Sequence, residues 1–431
     1  MKKKINLILL FIITFTFALT NFLPNSYATV DIPVYSSNYI LIEASTGKIV
    51  CEENSDEVVY PASTTKIMTA ILTLENCKLT DTAKVSHEAI FTVPVGYSHA
   101  MLVEGEVLTV EQLLNVLLIP SANDAANVLA EHIAGSVDSF STMMNTKAKE
   151  LGCTNTNFVN PNGIHDDNHY TTAHDLAIMA KYAMENETFR KIVTTTRYTL
   201  PATNKYPEAD RYFKNTNELI LKDDRDSVDN YYYPYAIGVK TGYTNPAGEC
   251  LVAAAKKDDK EFIFVTLGAG RTENGLSSRF IDSKNLFDYA FDNYKTYTIN
   301  EENAILKEVE ISNASIFNKN LDVLIQDKIT LLVKNNENVS SLAPTIEYTS
   351  DLKAPIKKNT VIGTITYNID GNTYTSNLLA GEDIQESNLF TTILIIGSIF
   401  VIIFLLYKLM KLKNSSKKKR KKKSNNNYMY W

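Results

Sequence analysis

A serine and a lysine three residues apart stand at the start of an apolar-periodic segment. Ser63 and Lys66 lie in the stretch "YPASTTKIMTAIL", where the pattern predicts a helix from Thr64 to about Glu75. Residues three apart on a helix project from the same face, so the lysine amine can take the proton that a serine hydroxyl must lose to become a nucleophile. The alternative is an ordinary helix start, because serine is favoured at that position without any chemistry.

The spacing alone does not decide between these interpretations. Ser-x-x-Lys occurs five times in the chain, beginning at Ser45, Ser63, Ser350, Ser415 and Ser416. A second candidate group is "SAN", in which Ser121 and Asn123 are two residues apart. In an extended loop such residues point to the same side, so both are predicted to face one cleft.

A third short motif, "KTG", ends the strand-like run "YAIGVKTGY". On a strand, Lys240 and Gly242 share one face, where the small glycine leaves room for a ligand and the lysine supplies positive charge. Lys240 is also a candidate neighbour for Lys66. A lysine acts as a base only when it is neutral, and burial or a nearby cation lowers its pKa toward that state.

The elements that must position these motifs alternate between strand-like and helix-like patterns. Two strands are predicted in "YILIEASTGKIV", two helices in "TVEQLLNVLLI" and "DAANVLAEHIAG", three antiparallel strands in "YAIGVKTGY", "CLVAAAK" and "EFIFVTLGAG", and a last helix in "SRFIDSKNLFDYAFDNYK". Strands at both ends with helices between them indicate an α+β domain over residues 29–298. Short β-rich runs broken by Asn, Gly and Pro predict a separate small all-β domain over residues 299–380.

In this order and these settings, the three motifs resemble the signature of the serine penicillin-recognising enzymes. Within that group the sequence is similar to the D-alanyl-D-alanine carboxypeptidases of the low-molecular-mass penicillin-binding type, over about residues 35–380. The stretches "NPNGIHDDNHYTTAHDLA", "KTGYTNPAGECLVAAA" and "GAGRT" add to the likeness. The resemblance implies a β-lactamase/transpeptidase-like domain, followed by the small β-rich domain, and a peptidase without a cofactor that acts on peptidoglycan stem peptides ending in D-Ala-D-Ala.

The resemblance also implies roles for single residues. Ser63 would be the nucleophile and Lys66 its base, Ser121 would relay a proton to the leaving amine, and Asn123 would bind the backbone amide of the peptide. The penultimate D-Ala would acylate Ser63, the last D-Ala would leave, and water would hydrolyse the ester. β-Lactam antibiotics would acylate Ser63 in the same way and leave slowly.

The remaining implied roles concern the carboxylate and the developing oxyanion of the substrate. Lys240, Thr241 and Arg271 would hold the terminal carboxylate, since a guanidinium can clasp a carboxylate through two hydrogen bonds. Gly242 would let the substrate lie against the strand. The backbone N–H groups of Ser63 and Tyr243 would form the oxyanion hole.

Three other functions are weighed against this one. A class A β-lactamase adds a glutamate that activates the deacylating water, and no Glu-x-x-x-Asn lies between Asn123 and Lys240. A transpeptidase uses the same acyl-enzyme with another acceptor, and the absence of large extra domains favours trimming. A non-catalytic penicillin sensor would normally couple to a cytoplasmic signalling domain, whereas a short basic tail follows the predicted span, which disfavours the sensor.

The two ends of the chain predict export and anchoring. Residues 1–28 combine a lysine-rich start, an apolar run and small residues, as in a signal peptide cleaved after Ala28; an uncleaved anchor is the alternative. Residues 389–407 carry no charge and are long enough to span a bilayer, and the basic tail 408–431 follows them. The positive-inside rule then places the tail in the cytoplasm and the enzyme on the wall side of the cell membrane.

Charge and metal-binding residues narrow the possible partners. The whole chain has a net charge of −6, and removing the three positive charges of the signal and the ten of the tail leaves −19. Such a body is a poor electrostatic match for nucleic acid. The four cysteines are widely spaced, and His165, His169 and His174 lack a zinc-binding spacing. No metal is predicted, and the histidine segment is expected to form a surface loop beside the cleft.

Overall fold

The structure is a computed structural model that describes residues 32–222, 231–315, 318–337, 339, 342–369, 372–387 and 389–425. The predicted signal peptide lies outside these residues. The chain divides into two compact units, the first being Met1–Thr296 with Leu332–Asn336 and the second Tyr297–Leu331 with Glu337–Trp431.

The first unit holds most of the helices. Its strands are β1 (Tyr39–Glu43), β2 (Ile49–Glu53), β3 (Thr82–Lys84), β4 (Val107–Thr109), β5 (Arg197–Leu200), β6 (Arg211–Lys214), β7 (Ala236–Thr244), β8 (Gly248–Lys257) and β9 (Lys260–Ala269). Its helices are α1 (Lys66–Asn76), α2 (His87–Phe91), α3 (Val110–Leu118), α4 (Asn123–Ala134), α5 (Val137–Glu150), α6 (Ala173–Met184), α7 (Glu187–Val193) and α8 (Ser278–Asn293). The predicted hairpin, the predicted strands β7, β8 and β9 and the predicted last helix are therefore confirmed.

A five-stranded antiparallel sheet in the order β2-β1-β9-β8-β7 forms the centre of this unit. Successive side chains of a strand point to opposite faces. Along β8, Val252 and Ala254 join one apolar cluster with α1, α3 and α4, whereas Leu251 and Ala253 join another with α8. The sheet is therefore covered by helices on both faces, which explains why "CLVAAA" is apolar without alternation.

The helices beside the motifs begin and end where local chemistry favours it. Thr109 and Gln112 form a reciprocal capping box at the start of α3. Helix α4 ends at Gly135, whose φ of +78° is in the left-handed region that glycine adopts readily. Helices α3 and α4 are the two predicted ones, and the residues that join them include Ser121.

The second unit is the predicted all-β domain. Its strands are β11 (Ile305–Ser315), β12 (Asn318–Ile325), β14 (Thr345–Tyr348), β15 (Val361–Ile369) and β16 (Asn372–Ala380). The division of the chain falls within two further strands, β10 (Tyr294–Asn300) and β13 (Ile329–Lys334), which pair as a two-stranded sheet. The five strands pair in the order β11-β12-β16-β15-β14. Alternate residues of β15 from Ile365 to Ile369 are buried, as expected for a sheet with one face on a core.

A long helix, α9 (Leu389–Asn425), follows the second domain. Within it Ile393–Ser416 is long and apolar enough to cross a membrane, and none of that segment is buried against protein. Its 24 residues extend over about 36 Å at 1.5 Å per residue, compared with about 30 Å for the hydrocarbon core of a bilayer. The helix has the length and composition of a membrane anchor.

Candidate active site

Ser63 lies on a single 3₁₀ turn, Ala62–Thr65, immediately before α1. We call this turn the nucleophile turn. Ala62 has a φ of +48°, which a non-glycine residue adopts only when its surroundings hold it there. The hydroxyl of Thr64 donates to the Pro61 carbonyl at 2.7 Å. Helix α1 therefore begins at Lys66, two residues later than predicted, and Ser63 precedes it on the turn, partly exposed.

The amine of Lys66 is surrounded by three oxygen atoms. Its Nζ lies 2.9 Å from Ser63 Oγ, 2.7 Å from Asn123 Oδ1 and 2.6 Å from the Asn162 carbonyl oxygen. The two oxygens of Asn123 and Asn162 can only accept, so each takes one N–H. A neutral amine has two N–H bonds and one lone pair, which then faces the Ser63 hydroxyl. The arrangement suits proton transfer from Ser63 to Lys66.

Electrostatics favour this neutral amine. Lys66 has no exposed surface, and its burial, together with the nearby charge of Lys240, holds its pKa well below the ordinary value of 10.5. The Asp124 carboxylate opposes the shift. Its oxygens, however, accept hydrogen bonds from the backbone N–H groups of Ala100, Leu102 and Ala125. The expected role of Lys240 as the neighbouring cation agrees with this pKa shift.

The second motif meets Lys66 through Asn123. The Asn123 side-chain amide donates to the Ser98 carbonyl at 2.9 Å, which leaves its oxygen for Lys66. Ser121 is buried beside it but has a φ of +66°, and Asn123 is already the first residue of α4. The prediction of an extended loop was therefore wrong at Ser121. Ser121 is not one of the three hydrogen-bond partners of the Lys66 amine.

The third motif lies on β7, at the edge of the central sheet. Lys240 is buried and its Nζ donates to the Thr241 carbonyl at 2.8 Å. Burial and the neighbouring Arg279 lower the pKa of Lys240 to about 7. The Thr241 hydroxyl is 2.5 Å from that of Thr216.

Gly242 lies where a side chain would crowd the nucleophile turn, a contact that the sequence did not predict. A Cβ atom at this position would lie 3.0 Å from the Ser63 nitrogen and 3.1 Å from both Ala62 Cβ and the Pro61 oxygen. The absent side chain therefore lets the nucleophile turn lie against β7, whereas the prediction assigned that space to a ligand. The next residue, Tyr243, is 60% exposed, and its hydroxyl donates to Asn245 Oδ1.

Two arginines share the carboxylate of Glu249 behind this strand. Arg271, predicted to bind substrate, is exposed; it lies 3.1 Å from Glu249 Oε1 and donates to the Gly275 carbonyl. Arg279 was missed; it is largely buried, lies 3.5 Å from Glu249 Oε2 and donates to the carbonyl of Gly242 at 3.1 Å. Its position on α8, far along the chain from "KTG", gave no sequence signal for this contact.

The segment 159–164, which we call the carbonyl loop, also contributes to the site, and the sequence did not predict this contribution. It supplies the Asn162 carbonyl to Lys66, a backbone contact that no side-chain motif reveals. His169 follows it and was expected on a surface loop, but it is only 2% exposed. Burial lowers the pKa of His169 to about 4. Among the described residues no group of three or more His, Cys, Asp or Glu side chains is placed to hold a metal ion.

Comparisons with known proteins match both units. Residues 26–271 match the family model of the D-alanyl-D-alanine carboxypeptidases, described as Peptidase_S11. Residues 294–386 match the model of the penicillin-binding protein 5 C-terminal domain. The α+β domain followed by an all-β domain and an apolar C-terminal helix is therefore the architecture predicted from the sequence.

Individual relatives agree with the family models. The chain is 33% identical to the D-alanyl-D-alanine carboxypeptidase DacF of Bacillus subtilis, over 91% of this chain and 97% of that protein. The structure is similar to penicillin-binding protein 5 of Haemophilus influenzae, with a TM-score of 0.65, 26% identity and coverage of 83% of this chain and 100% of the other. The Streptomyces K15 DD-transpeptidase aligns with 61% of this chain and 100% of its own, with a TM-score of 0.53 and 32% identity. The chain belongs to the D-alanyl-D-alanine carboxypeptidase family of penicillin-binding serine hydrolases.

Proposed function

We propose that this carboxypeptidase removes the terminal D-alanine from peptidoglycan pentapeptide stems through an acyl-enzyme on Ser63. The observation that carries the proposal is the 2.9 Å contact between Ser63 Oγ and the buried amine of Lys66. A hydroxyl beside a neutral amine can be deprotonated as it attacks a carbonyl carbon. Ser63 is also the partly exposed member of this pair, so a substrate can reach it.

The acylation step is then a simple exchange of bonds. Lys66 takes the Ser63 hydroxyl proton while Oγ attacks the carbonyl carbon of the penultimate D-Ala. The backbone N–H groups of Ser63 and Tyr243 stabilise the oxyanion. The C–N bond breaks as Lys66 passes that proton through Ser121 to the leaving amine, and D-alanine departs. Water then attacks the ester carbonyl carbon and gives a proton to Lys66, which passes it to Ser63 Oγ as the ester C–O bond breaks. β-Lactams acylate Ser63 by the same attack.

The substrate carboxylate is met by local cations, although the exported body carries strong negative charge. Lys240, Thr241 and Arg271 hold the carboxylate, and Asn123 binds the backbone amide of the stem. Gly242 keeps this strand close to the nucleophile turn. The buried Lys240 is the central charge, because its ammonium is shielded from bulk water.

A transpeptidase is the second candidate function. One relative of known structure is a DD-transpeptidase, and an amine acceptor can replace water at the same acyl-enzyme. The two functions differ only in which acceptor reaches the ester. Product analysis separates them, since a transpeptidase gives a cross-linked peptide and a carboxypeptidase gives the tetrapeptide.

Location follows from the ends of the chain. We place a cleaved signal peptide at residues 1–28, the peptidase domain at 29–298 and the small β-rich domain at 299–380. The span at 389–407 and the basic tail at 408–431 hold the enzyme on the wall side of the cell membrane. The apolar α9 supports the anchor, and the basic tail supports the orientation.

The test is D-alanine release from a pentapeptide ending in D-Ala-D-Ala, by the wild-type chain and by Ser63→Ala. Release by the wild type alone, with the tetrapeptide as the other product, supports the proposal. Intact mass after incubation with a penicillin adds a second readout, because the adduct requires Ser63. An adduct on Ser63→Ala, or D-alanine release by that variant, overturns the assignment.

A further inference from the structure

His169 lies between the two backbone segments that flank Lys66. Its ring is buried, with Nε2 2.8 Å from the hydroxyl oxygen of Thr65 and Nδ1 3.1 Å from the backbone nitrogen of Val159. Thr65 is the last residue of the nucleophile turn, and Val159 is the first residue of the carbonyl loop. One side chain therefore joins the segment that carries the nucleophile to the segment that supplies the Asn162 carbonyl.

The hydrogen-bond directions are fixed by the partners. The Val159 N–H can only donate, so His169 Nδ1 is unprotonated and accepts. In a neutral imidazole the proton is then on Nε2, which donates to Thr65 Oγ1. The Thr65 hydroxyl in turn donates to the Ala62 carbonyl at 2.8 Å. The chain of bonds runs in one direction from the carbonyl loop through His169 and Thr65 to the residue before Ser63.

The two segments also touch directly at that carbonyl. A Cβ atom at Gly163 would lie 1.9 Å from the Ala62 oxygen and 2.9 Å from Thr65 Oγ1. The carbonyl loop therefore has no room to shift toward the nucleophile turn, and the His169 bonds oppose movement away from it. Asn162, next to Gly163, holds its carbonyl oxygen 2.6 Å from Lys66 Nζ within this contact.

We infer that His169 is a positioning residue for acylation, which holds the nucleophile turn and the carbonyl loop at the spacing that places Lys66 between Ser63 and the Asn162 carbonyl. The inference rests on the proposed acyl-enzyme at Ser63. His169 itself does not contact Ser63 or Lys66 through a hydrogen bond. It acts on the reacting atoms only through Thr65, Ala62 and the carbonyl loop.

Burial keeps the ring in the neutral form that this role requires. Burial lowers the pKa of His169 to about 4, against a raising effect of Asp166. Protonation would place a hydrogen on Nδ1, facing the Val159 N–H. The hydrogen bond between Val159 and His169 would then break. At neutral pH the ring therefore keeps both bonds.

Thr65 offers the sharpest test, because two variants each change a single group of its side chain. Thr65→Ser keeps the hydroxyl and Thr65→Val removes it. In the full-length protein, we expect Thr65→Val to lower the rate of penicillin acylation at Ser63 by about 10- to 100-fold, as small displacements of reacting groups do. Thr65→Ser should stay within a few-fold of wild type. Acylation is followed by intact mass below the melting temperature of every variant.

His169 provides the matched pair on the other side of the bond. His169→Gln keeps a donor near the position of Nε2, whereas His169→Asn keeps an acceptor near Nδ1 and loses that donor. His169→Asn should lose about as much acylation rate as Thr65→Val, and His169→Gln should recover part of it. Thr65→Val and His169→Asn remove the same hydrogen bond, the one between His169 Nε2 and Thr65 Oγ1. The double variant should therefore acylate no more slowly than the slower single variant.

The outcomes separate this inference from the proposed function. No adduct on the wild-type chain overturns the acyl-enzyme itself. A normal wild-type adduct with unchanged acylation in Thr65→Val overturns the positioning role, and so does a double variant whose loss is the product of the single losses. If His169→Asn does not fold, the comparison of Thr65→Ser with Thr65→Val decides alone.

Discussion

The Nζ atom of Lys66 lies 2.9 Å from Ser63 Oγ, on a lysine side chain with no exposed surface. The amine is inserted into a cage of two acceptor oxygens that belong to different elements, helix α4 and the carbonyl loop. A charged ammonium in this cage would lie near the buried Lys240, and like charges disfavour that state. Burial in the fold therefore favours the neutral form of Lys66, whereas a lysine exposed to water would stay protonated.

Lys66 should be replaceable by neither a small nor a permanently charged residue. We expect Lys66→Ala to lack the base and Lys66→Arg to retain a proton that it cannot lose, since arginine stays charged. Both should lower the rate of penicillin acylation by about 10²- to 10⁴-fold, the usual contribution of a general base. The measurement is the rate of adduct formation by intact mass, with circular dichroism to show that the fold is kept. A normal rate in either variant means that another group takes the Ser63 proton.

The lowered pKa of Lys240 predicts that kcat/KM decreases at alkaline pH. Its pKa of about 7 in the free enzyme means that its charge is present below that pH and is lost above it. A bound carboxylate stabilises the charged form, so kcat/KM should fall as the pH rises through about 7 while kcat changes less.

The matched variant is Lys240→Arg, whose charge persists at high pH. We expect it to bind the carboxylate less well at neutral pH, because its geometry differs, but to lose the alkaline decline of kcat/KM. The pH profiles of the two proteins are compared with one D-Ala-D-Ala peptide. The same alkaline decline in both would show that Lys240 is not the titrating group.

Gly242 should tolerate a side chain poorly. A methyl group there would lie 3.0–3.1 Å from Ser63 N, Ala62 Cβ and the Pro61 oxygen, so we expect Gly242→Ala to destabilise the protein by about 1–3 kcal/mol and to slow acylation. Gly270→Ala is the control, because a Cβ at Gly270 meets nothing within 4 Å. Thermal melting and penicillin acylation are measured for both. Equal behaviour of the two variants would contradict the close contact between β7 and the nucleophile turn.

The competing Ser-x-x-Lys sites show what the spacing alone could not resolve. Ser45 donates to Glu43 in a turn, and Ser415 and Ser416 donate to carbonyls one turn back along α9. Ser63, in contrast, precedes the buried Lys66 at the start of a core helix. The order of the three motifs favoured Ser63 and Lys66 over the other pairs, and the structure places Lys66 Nζ 2.9 Å from Ser63 Oγ.

The parts of the site that could not be predicted are those made by the backbone and by long-range contacts. The positive φ of Ser121 has no local signal, since serine is neither glycine nor asparagine. The Asn162 carbonyl and the Arg279 contact to Gly242 depend on where distant segments meet, 96 and 37 residues apart in sequence. The strands β1, β2, β7, β8 and β9 and the helices α3, α4 and α8, by contrast, followed from periodicity, because each buries apolar residues in the core.

The membrane helix should be separable from catalysis. Truncation before Leu389 removes α9 and the basic tail but none of the residues placed around Ser63. We expect a soluble protein with the wild-type rate of D-alanine release from a soluble pentapeptide. Ultracentrifugation of membranes, followed by the release assay, checks both statements. An insoluble or inactive product would mean that the C-terminal helix does more than anchor the enzyme.

The lowered pKa of His169 predicts that the free energy of unfolding decreases at acidic pH. The pKa of this group is about 4 when folded and 6.5 ordinarily. Above pH 6.5 the ring is neutral in both the folded and the unfolded chain, and the two hydrogen bonds of His169 stabilise the native state fully. As the pH falls from 6.5 to 4, the unfolded chain binds a proton that the native ring does not, so stability is lost by roughly 3 kcal/mol in total. Carboxylates titrate in the same range, so the wild type is compared with His169→Gln, which has no titrating group at this position. The melting temperature of the wild type should decline relative to that of the variant between pH 6.5 and 4, and a constant difference would contradict a buried, neutral His169.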